Sequence, residues 1–319
     1  MKKIMTIDAG TSNLRIRIIE SNKVTFELKE NYGVKIGKDK FQEKLYVLLK
    51  ECMKKNNLKI EEIEIIASGM ITSSLGLLEV EHIHVPVSLK KLAENIVKVK
   101  FFEFEINLIP GIKVEKEYFK NENIKSVDVI RGEEVEVFGI LNQIDTIEPT
   151  LIILPGSHNK FIEVKDGEII NFLTTMSGEI YDAMTKHTIL KNSVNETFAD
   201  EIDRRFLLLG NEIGRRFNLN QGSFVLRGID LVENFSINEK ANYLLGLILN
   251  GDILSLEKNG YLEQYKKIII AGGNVIAKGI FELLKELKLD IDIKMIIAND
   301  LSVKGALKIW SYNCKETKW

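Results

Sequence analysis

The sequence predicts an α/β chain of two domains, each a mixed β-sheet flanked by helices. Three observations lead there. The order strand, polar glycine-bearing turn, strand, turn, strand occurs twice, once from Ile4 and again from Leu151. Stretches with apolar residues at helical spacing follow each trio, whereas the strands alternate with a period of two. The 319 residues, 45% of them hydrophobic, supply enough material for two cores of ordinary size.

The first element is the β-prone run Ile4 to Ile7, which breaks at Asp8-Ala9-Gly10-Thr11-Ser12-Asn13 and resumes as Leu14 to Ile19 in alternation. Asn22 turns the chain into a third strand, Val24 to Leu28, and Phe41, Leu45, Leu48 and Leu49 give Lys38 to Asn56 a helical face. Glu64 to Ala67 is a strand ending at Ser68-Gly69-Met70. Phe104 to Ile109 and Ser126 to Ile130 are further strand segments around short helices, with Phe101, Phe102 and Phe104 filling core, and Glu133 to Leu141 is a helix.

The second trio is Leu151 to Leu154, Lys160 to Val164 and Glu168 to Phe172, with turns at Pro155 to Asn159 and at Asp166-Gly167. Helices are expected over Ala199 to Phe217 and Glu239 to Lys258, then a buried strand, Lys267 to Ile270, that ends in Ala271-Gly272-Gly273-Asn274. A helix from Val275 to Leu287, a strand from Ile293 to Ile297 and a closing helix from Ser302 to Trp310, placed to pack back on the first domain, complete the chain. The domains divide at 1–148 and 149–319, joined by a compact hinge around Glu148-Pro149-Thr150 with a cleft between them.

A net charge of -2 with Lys and Glu intermixed gives no basic stripe for a phosphate backbone, so nucleic acid is not an expected partner. Cys52 and Cys314 lie far apart and form no metal-binding or redox spacing, as suits a reducing cytoplasm. No stretch stays apolar for the roughly 18 residues a membrane span requires, and the amino terminus reaches an acidic residue before any signal-length apolar run. A cytoplasmic protein is expected, as a monomer or a homodimer.

At the first polar tip, Asp8 stands at a strand end, Gly10 lets backbone approach a ligand, and Thr11, Ser12 and Asn13 add polar groups beside backbone N–H donors. That set suits a phosphate and, through Asp8, hydrated Mg²⁺; a plain hairpin turn has the same composition. Pro155-Gly156-Ser157-His158-Asn159-Lys160 repeats the device at the start of the second trio, and Gly272-Gly273 offers bare backbone at a strand-to-helix junction where an adenine ring or phosphate can lie. Asp128-Val129-Ile130-Arg131-Gly132-Glu133-Glu134 is either an acidic first helical turn or the seat of a proton acceptor, with Arg131 available to an anion. His82 and His84 flank Ile83 without a third ligand nearby, so they do not make a zinc site.

In this order the motifs resemble those of the actin/hexokinase-like kinases: phosphate turn one at Asp8 to Asn13, phosphate turn two at Gly156 to Asn159, and an adenosine segment at Gly272-Gly273. The strings Gly69-Met70-Ile71-Thr72-Ser73, Arg131-Gly132-Glu133-Glu134, Leu154 to Lys160 and Thr175-Met176-Ser177-Gly178-Glu179 resemble the 2-dehydro-3-deoxygalactonokinase family. The resemblance implies a two-lobed actin/hexokinase-like (ribonuclease H-like) fold. It also implies transfer of the ATP γ-phosphoryl group, with Mg²⁺, to the 6-hydroxyl of the sugar acid 2-dehydro-3-deoxy-galactonate.

On the same resemblance the catalytic base is Glu133, with Glu134 second, and Arg131 assists. Asp8, Gly10, Thr11, Ser12, Asn13, Gly156, Ser157, Gly272 and Gly273 hold Mg·ATP, and Ser12, Arg15, His158 and Asn159 are the candidate contacts for the sugar acid. Arg15 shares a strand face with Arg17, so an exposed structural arginine is the alternative there. A kinase for another sugar or sugar acid, or an actin-like ATPase or ATP-binding regulator, are the rival functions on this fold.

Overall fold

The structure, a computed structural model, describes residues 3–119, 124–144 and 148–316. The chain forms two compact units: Met1–Thr146 with Gly167–Asn171 and Asn299–Trp319, and Ile147–Asp166 with Phe172–Ala298. Most of the hinge expected around Glu148 adjoins residues 145–147, which lie outside the described residues.

The first unit runs β1 (Lys3–Ala9), β2 (Leu14–Glu20), β3 (Lys23–Glu30), α1 (Lys38–Lys55), β4 (Ile63–Gly69), β5 (Ile83–His84), α2 (Leu89–Glu94), β6 (Val97–Phe101), β7 (Phe104–Leu108), β8 (Ile112–Phe119), β9 (Ile124–Ile130) and α3 (Glu133–Leu141). Its main sheet has the order β3-β2-β1-β4-β7-β6, and β5, β8 and β9 form a second, small sheet. β1 pairs antiparallel with β2 and parallel with β4, which sets Asp8 opposite Arg15 on one side and beside Ser68 on the other. The α1 residues Phe41, Leu45, Leu48 and Leu49 are all buried in one core with Met5, Ile7, Ile16 and Ile65, because helical spacing delivers them to a single face of the sheet.

The second unit runs β10 (Thr150–Leu154), β11 (Asn159–Lys165), β12 (Glu168–Thr175), α4 (Ser177–His187), α5 (Arg204–Val232), α6 (Ile237–Lys258), α7 (Tyr261–Gln264), β13 (Lys267–Ala271), α8 (Val275–Glu286) and β14 (Asp292–Ile296). Its sheet order, β12-β11-β10-β13-β14, repeats the β3-β2-β1-β4-β7 order of the first unit. β10 pairs antiparallel with β11 and parallel with β13, as β1 does with β2 and β4. The duplicated plan expected from the order of elements is therefore present as topology.

The last helix, α9 (Leu301–Glu316), packs in the first unit against α3 at a crossing where Gly139 faces Leu301 and Gly305 faces Val135. The start of β12 also falls in the first unit, where Ile169 bridges Val87. Both segments follow the 148/149 boundary drawn from the sequence and still join the earlier part of the chain.

Local differences from the sequence reading have visible causes. The helix expected over Ala199 to Phe217 starts at Arg204, because Asp203 caps it by accepting a hydrogen bond from the Phe206 N–H. It then continues to Val232 through a break at Asn218 (φ 66°, ψ 175°). There the Asn218 side-chain oxygen accepts from the N–H groups of Asn220 and Gln221 and so caps the second segment. Phe102, expected in the core, is 61% exposed in a left-handed turn between β6 and β7, while Phe101 and Phe104 are buried.

Candidate active site

In the first unit, turn one closes through a hydrogen bond from the Gly10 N–H to the Asn13 carbonyl, 2.8 Å, and is pinned from outside by Val34 N–H to Gly10 O and Lys35 N–H to Thr11 O. Gly33 makes that approach possible, since any Cβ there would collide with the Gly10 carbonyl. Thr11, Ser12 and Asn13 are exposed at the tip and Asp8 is half-buried at its base.

Around Asp8 the strand register collects charge. Burial raises its carboxyl above the usual range, while Arg15, Arg17 and a hydrogen bond from Ser302 pull the other way. Arg17, almost fully buried, donates to Glu27 Oε1 at 2.8 Å and Ser302 Oγ at 3.4 Å. Glu136, on the first turns of α3, joins this group: burial, then the negative charges of Asp8 and Glu133, push it up to about 8, against the pull of Arg15 and Arg17. Burial and the two like charges thus favour the protonated form of Glu136.

The acid turn before α3 is held by its own backbone. Gly132 adopts φ 111°, its N–H donates to Glu134 Oε2 at 2.7 Å, and the Arg131 N–H donates to Glu133 Oε2 at 3.0 Å. Glu134 is completely buried, and burial, then the negative charge of Glu133, raise its carboxyl well above the usual range, against the pull of its backbone hydrogen bonds and Arg131. Glu133 stays half-buried at the helix start.

Arg131 has a different job from the anion contact expected of it. Its Nη1 donates to the Thr72 hydroxyl at 2.6 Å and to the Thr72 carbonyl, and its Nη2 reaches Val80 O and His82 Nδ1, both at 3.2 Å. Four of its donors tie down the 72–82 loop. Because a guanidinium only donates, His82 Nδ1 is the acceptor there, and burial and Arg131 depress that imidazole to about 4, keeping it neutral.

In the second unit, turn two repeats the glycine device. Gly178, in the first turn of α4, lies against the Gly156 carbonyl with no room for a Cβ, and the Glu179 N–H donates to Ser157 O at 2.8 Å. Asn159, expected as a substrate contact, is fully buried: its side-chain oxygen accepts from the Gly156 N–H at 3.0 Å and its amide donates to Asp252 Oδ2 at 2.7 Å. Its side chain is committed to holding the turn.

Asp252 also accepts from Ser177 Oγ at 2.6 Å. Burial raises its carboxyl, and the hydrogen bonds from Ser177, Thr175 and Asn159 lower it. His158 is exposed and paired with Glu179 Oε2 at 2.7 Å, and Ser157 is exposed beside it. Gly272 (φ 148°) and Gly273 sit at the end of β13, close to turn two, where Asn274 Nδ2 approaches the Pro155 carbonyl at 3.4 Å.

Glu136, Arg17, Ser302, Ser177 and Asp252 were not selected from the sequence as site residues. Two of them had a legible signal: Glu136 lies three residues after Glu133, on the same face of a helix, and Asp252 is a lone carboxylate in an otherwise apolar stretch of α6. Ser302 had none, being brought in only by the return of α9.

Comparison with known proteins adds a match that this geometry does not give. The family model described as 2-keto-3-deoxy-galactonokinase matches residues 8–309, from turn one to α9. The chain belongs to that family. Membership makes it a phosphotransferase that acts on a hydroxyl group, of the sugar-acid kinase kind.

Among curated relatives of this kinase, a proposed 2-dehydro-3-deoxygalactonokinase of Rhizobium meliloti (strain 1021) is 30% identical over 139 residues, 43% of either chain. The 2-dehydro-3-deoxygalactonokinase of Escherichia coli (strain K12) is 22% identical over 86% of this chain and 87% of its own. The chain thus spans less than half of the first relative's length and most of the second's. The crystal structure of a proposed 2-dehydro-3-deoxygalactonokinase from Sinorhizobium meliloti superposes with a TM-score of 0.80 at 20% identity, over 99% of this chain and 100% of that one. Both units of this kinase follow the actin/hexokinase-like plan.

Proposed function

We propose that this kinase transfers the γ-phosphoryl group of ATP to the 6-hydroxyl of 2-dehydro-3-deoxy-galactonate. What carries the reading is the family match across residues 8–309, which takes in both phosphate turns, the acid turn and Gly272-Gly273. The E. coli relative, similar over most of its length, bears the name of that activity.

The division of labour follows the chemistry each unit offers. In the first unit, Glu133 accepts the proton of the attacking hydroxyl as its oxygen bonds to the γ-phosphorus and the bond to the bridging oxygen breaks, releasing ADP. Glu134 accepts from the Gly132 N–H and so holds the turn that aims Glu133. Ser12 and Arg15, exposed around Asp8, meet the polar groups of the sugar acid. In the second unit, Ser157 and His158 face outward from a turn that Asn159 and Asp252 hold in shape, and Gly272-Gly273 lay bare backbone beside it for the nucleotide.

Among the described residues no group of three or more His, Cys, Asp or Glu side chains is arranged for a metal ion. A single carboxylate, Asp8, fits the way Mg²⁺ is held when it arrives on a polyphosphate, by one or two carboxylates and several waters. Bound there, Mg²⁺ would neutralise charge on the phosphates.

The test is ADP release from Mg·ATP by purified protein with 2-dehydro-3-deoxy-galactonate, its gluconate epimer, galactose, or no acceptor. Stimulation by the galactonate acid above all others is the expected result. Equal release without acceptor would instead mark an ATPase and withdraw the substrate assignment.

A further inference from the structure

His82 lies outside both polar turns and the acid turn, yet it is built into the support of the last. Its Nδ1 faces Arg131 Nη2 at 3.2 Å, and Gly111 makes room for the ring: a Cβ there would stand 2.9 Å from His82 Cδ2 and 3.2 Å from Arg131 Cγ. Turning the ring over would set a C–H against the guanidinium, so Nδ1 is the atom that accepts and Nε2 carries the proton. That Nε2–H is buried without a hydrogen-bond partner among the described residues. An unmet donor is costly in the interior. A histidine kept at that cost is kept for its other nitrogen.

The second prong of Arg131 ends on Thr72. Nη1 donates to the Thr72 hydroxyl at 2.6 Å, and that hydroxyl donates to the Gly69 carbonyl at 3.0 Å. Gly69 lies against the acid turn, its Cα 3.2 Å from where a Cβ on Gly132 would stand. Thr72 and His82 thus fix the guanidinium from two sides, while the main chain of Arg131 donates its N–H to Glu133 Oε2 at 3.0 Å. Guanidinium and N–H belong to one residue, so a hold on the first is passed to the carboxylate bonded to the second.

We propose that His82 and Thr72 are positioning residues for phosphoryl transfer: by accepting from the two prongs of Arg131, they aim Glu133 at the attacking hydroxyl without touching substrate or nucleotide. This rests on Glu133 as the proton acceptor of the function proposed above. The effect belongs to kcat, since a base displaced by about 1 Å can cost on the order of 100-fold in rate while ground-state binding is left to other groups.

The experiment measures steady-state kinetics and calorimetric ADP binding for the wild type, His82→Phe, His82→Asn, Thr72→Val, and Glu133→Gln alone and combined with His82→Phe. His82→Phe keeps the ring and removes Nδ1. It is expected to lower kcat about 10- to 100-fold with KM for ATP and ADP binding unchanged. His82→Asn puts an amide oxygen in the place of Nδ1 and should recover kcat to within about 3-fold of the wild type. Thr72→Val, equal in shape, removes the other side-chain acceptor and should reproduce the loss even if His82→Phe does not fold. In the Glu133→Gln background there is no base left to aim, so adding His82→Phe should cost no more than about 2-fold, whereas a merely structural role would cost the same in either background.

Wild-type kcat in both His82→Phe and Thr72→Val, an asparagine no better than phenylalanine, or an undiminished loss in the Glu133→Gln background overturns the positioning role and leaves the kinase reading standing. Normal turnover in Glu133→Gln by itself withdraws Glu133 as the base, and the positioning role with it.

Discussion

At the scale of the residue, three glutamates within four positions have three separate fates. Glu134 is buried with its carboxyl raised by that burial, Glu136 is raised by burial and the charge of Asp8, and Glu133 is left half-buried at the helix start. Glu133→Gln, which keeps shape and removes the proton acceptor, is expected to lower kcat by ~10²- to 10⁴-fold with little change in ADP binding. Normal turnover in that variant would exclude Glu133 as the base. Glu136 gives a stability signature. Its folded-state value of about 8 lies above the ordinary 4.5, so its native form is favoured while protonated, and that contribution is lost as pH rises through about 8. Relative to the wild type, Glu136→Gln should therefore gain melting temperature between pH 5 and pH 9 and gain almost nothing below pH 4.5; a flat difference across the series would rule out a raised carboxyl. None of this ordering is visible in the string Glu133-Glu134-Val135-Glu136, because burial and neighbouring charge, not identity, separate the three.

At the scale of the element, both polar turns depend on a glycine from elsewhere: Gly33 ahead of α1 for turn one, Gly178 in the first turn of α4 for turn two. Asp252 adds a long-range hold on turn two, accepting from both Ser177 and Asn159. Asp252→Asn retains only one side-chain acceptor oxygen for those two donors, so a rise of about 5- to 10-fold in KM for ATP, larger than any fall in kcat, is the expected outcome of steady-state kinetics. A second element-scale test lies at the α3–α9 crossing, where a Cβ on Gly305 would run into the Val135 carbonyl. Gly305→Ala should destabilise the first unit by about 1–3 kcal/mol, read as a lower melting temperature, and slow turnover as well because α3 bears the acid turn. The helix spacing of α3 was legible almost to the residue, whereas the break in α5 was read as its end, since a polar Asn218 that caps a second segment looks in sequence like a stop.

At the scale of the whole molecule, a near-neutral net charge offers no long-range attraction for an anionic sugar acid, and the function proposed above puts that contact locally, at Arg15. Salt up to physiological strength should accordingly change KM for the acid only by the screening of that local contact, about 2- to 3-fold, in an ionic-strength series at fixed Mg·ATP. The sequence by itself determined the duplicated order of strands, the position of both polar turns and the acid turn, because strand and helix periods and turn composition are local properties of neighbouring residues. Only the tertiary structure decided which polar side chains are available to a ligand. It committed Arg131 to the 72–82 loop and Asn159 to Asp252, and it brought Ser302 to Asp8 and Glu136 to the same carboxylate. Those outcomes rest on burial and on partners tens to hundreds of positions away in the chain, and hydrogen-bond commitment and electrostatic environment are set only when distant segments pack.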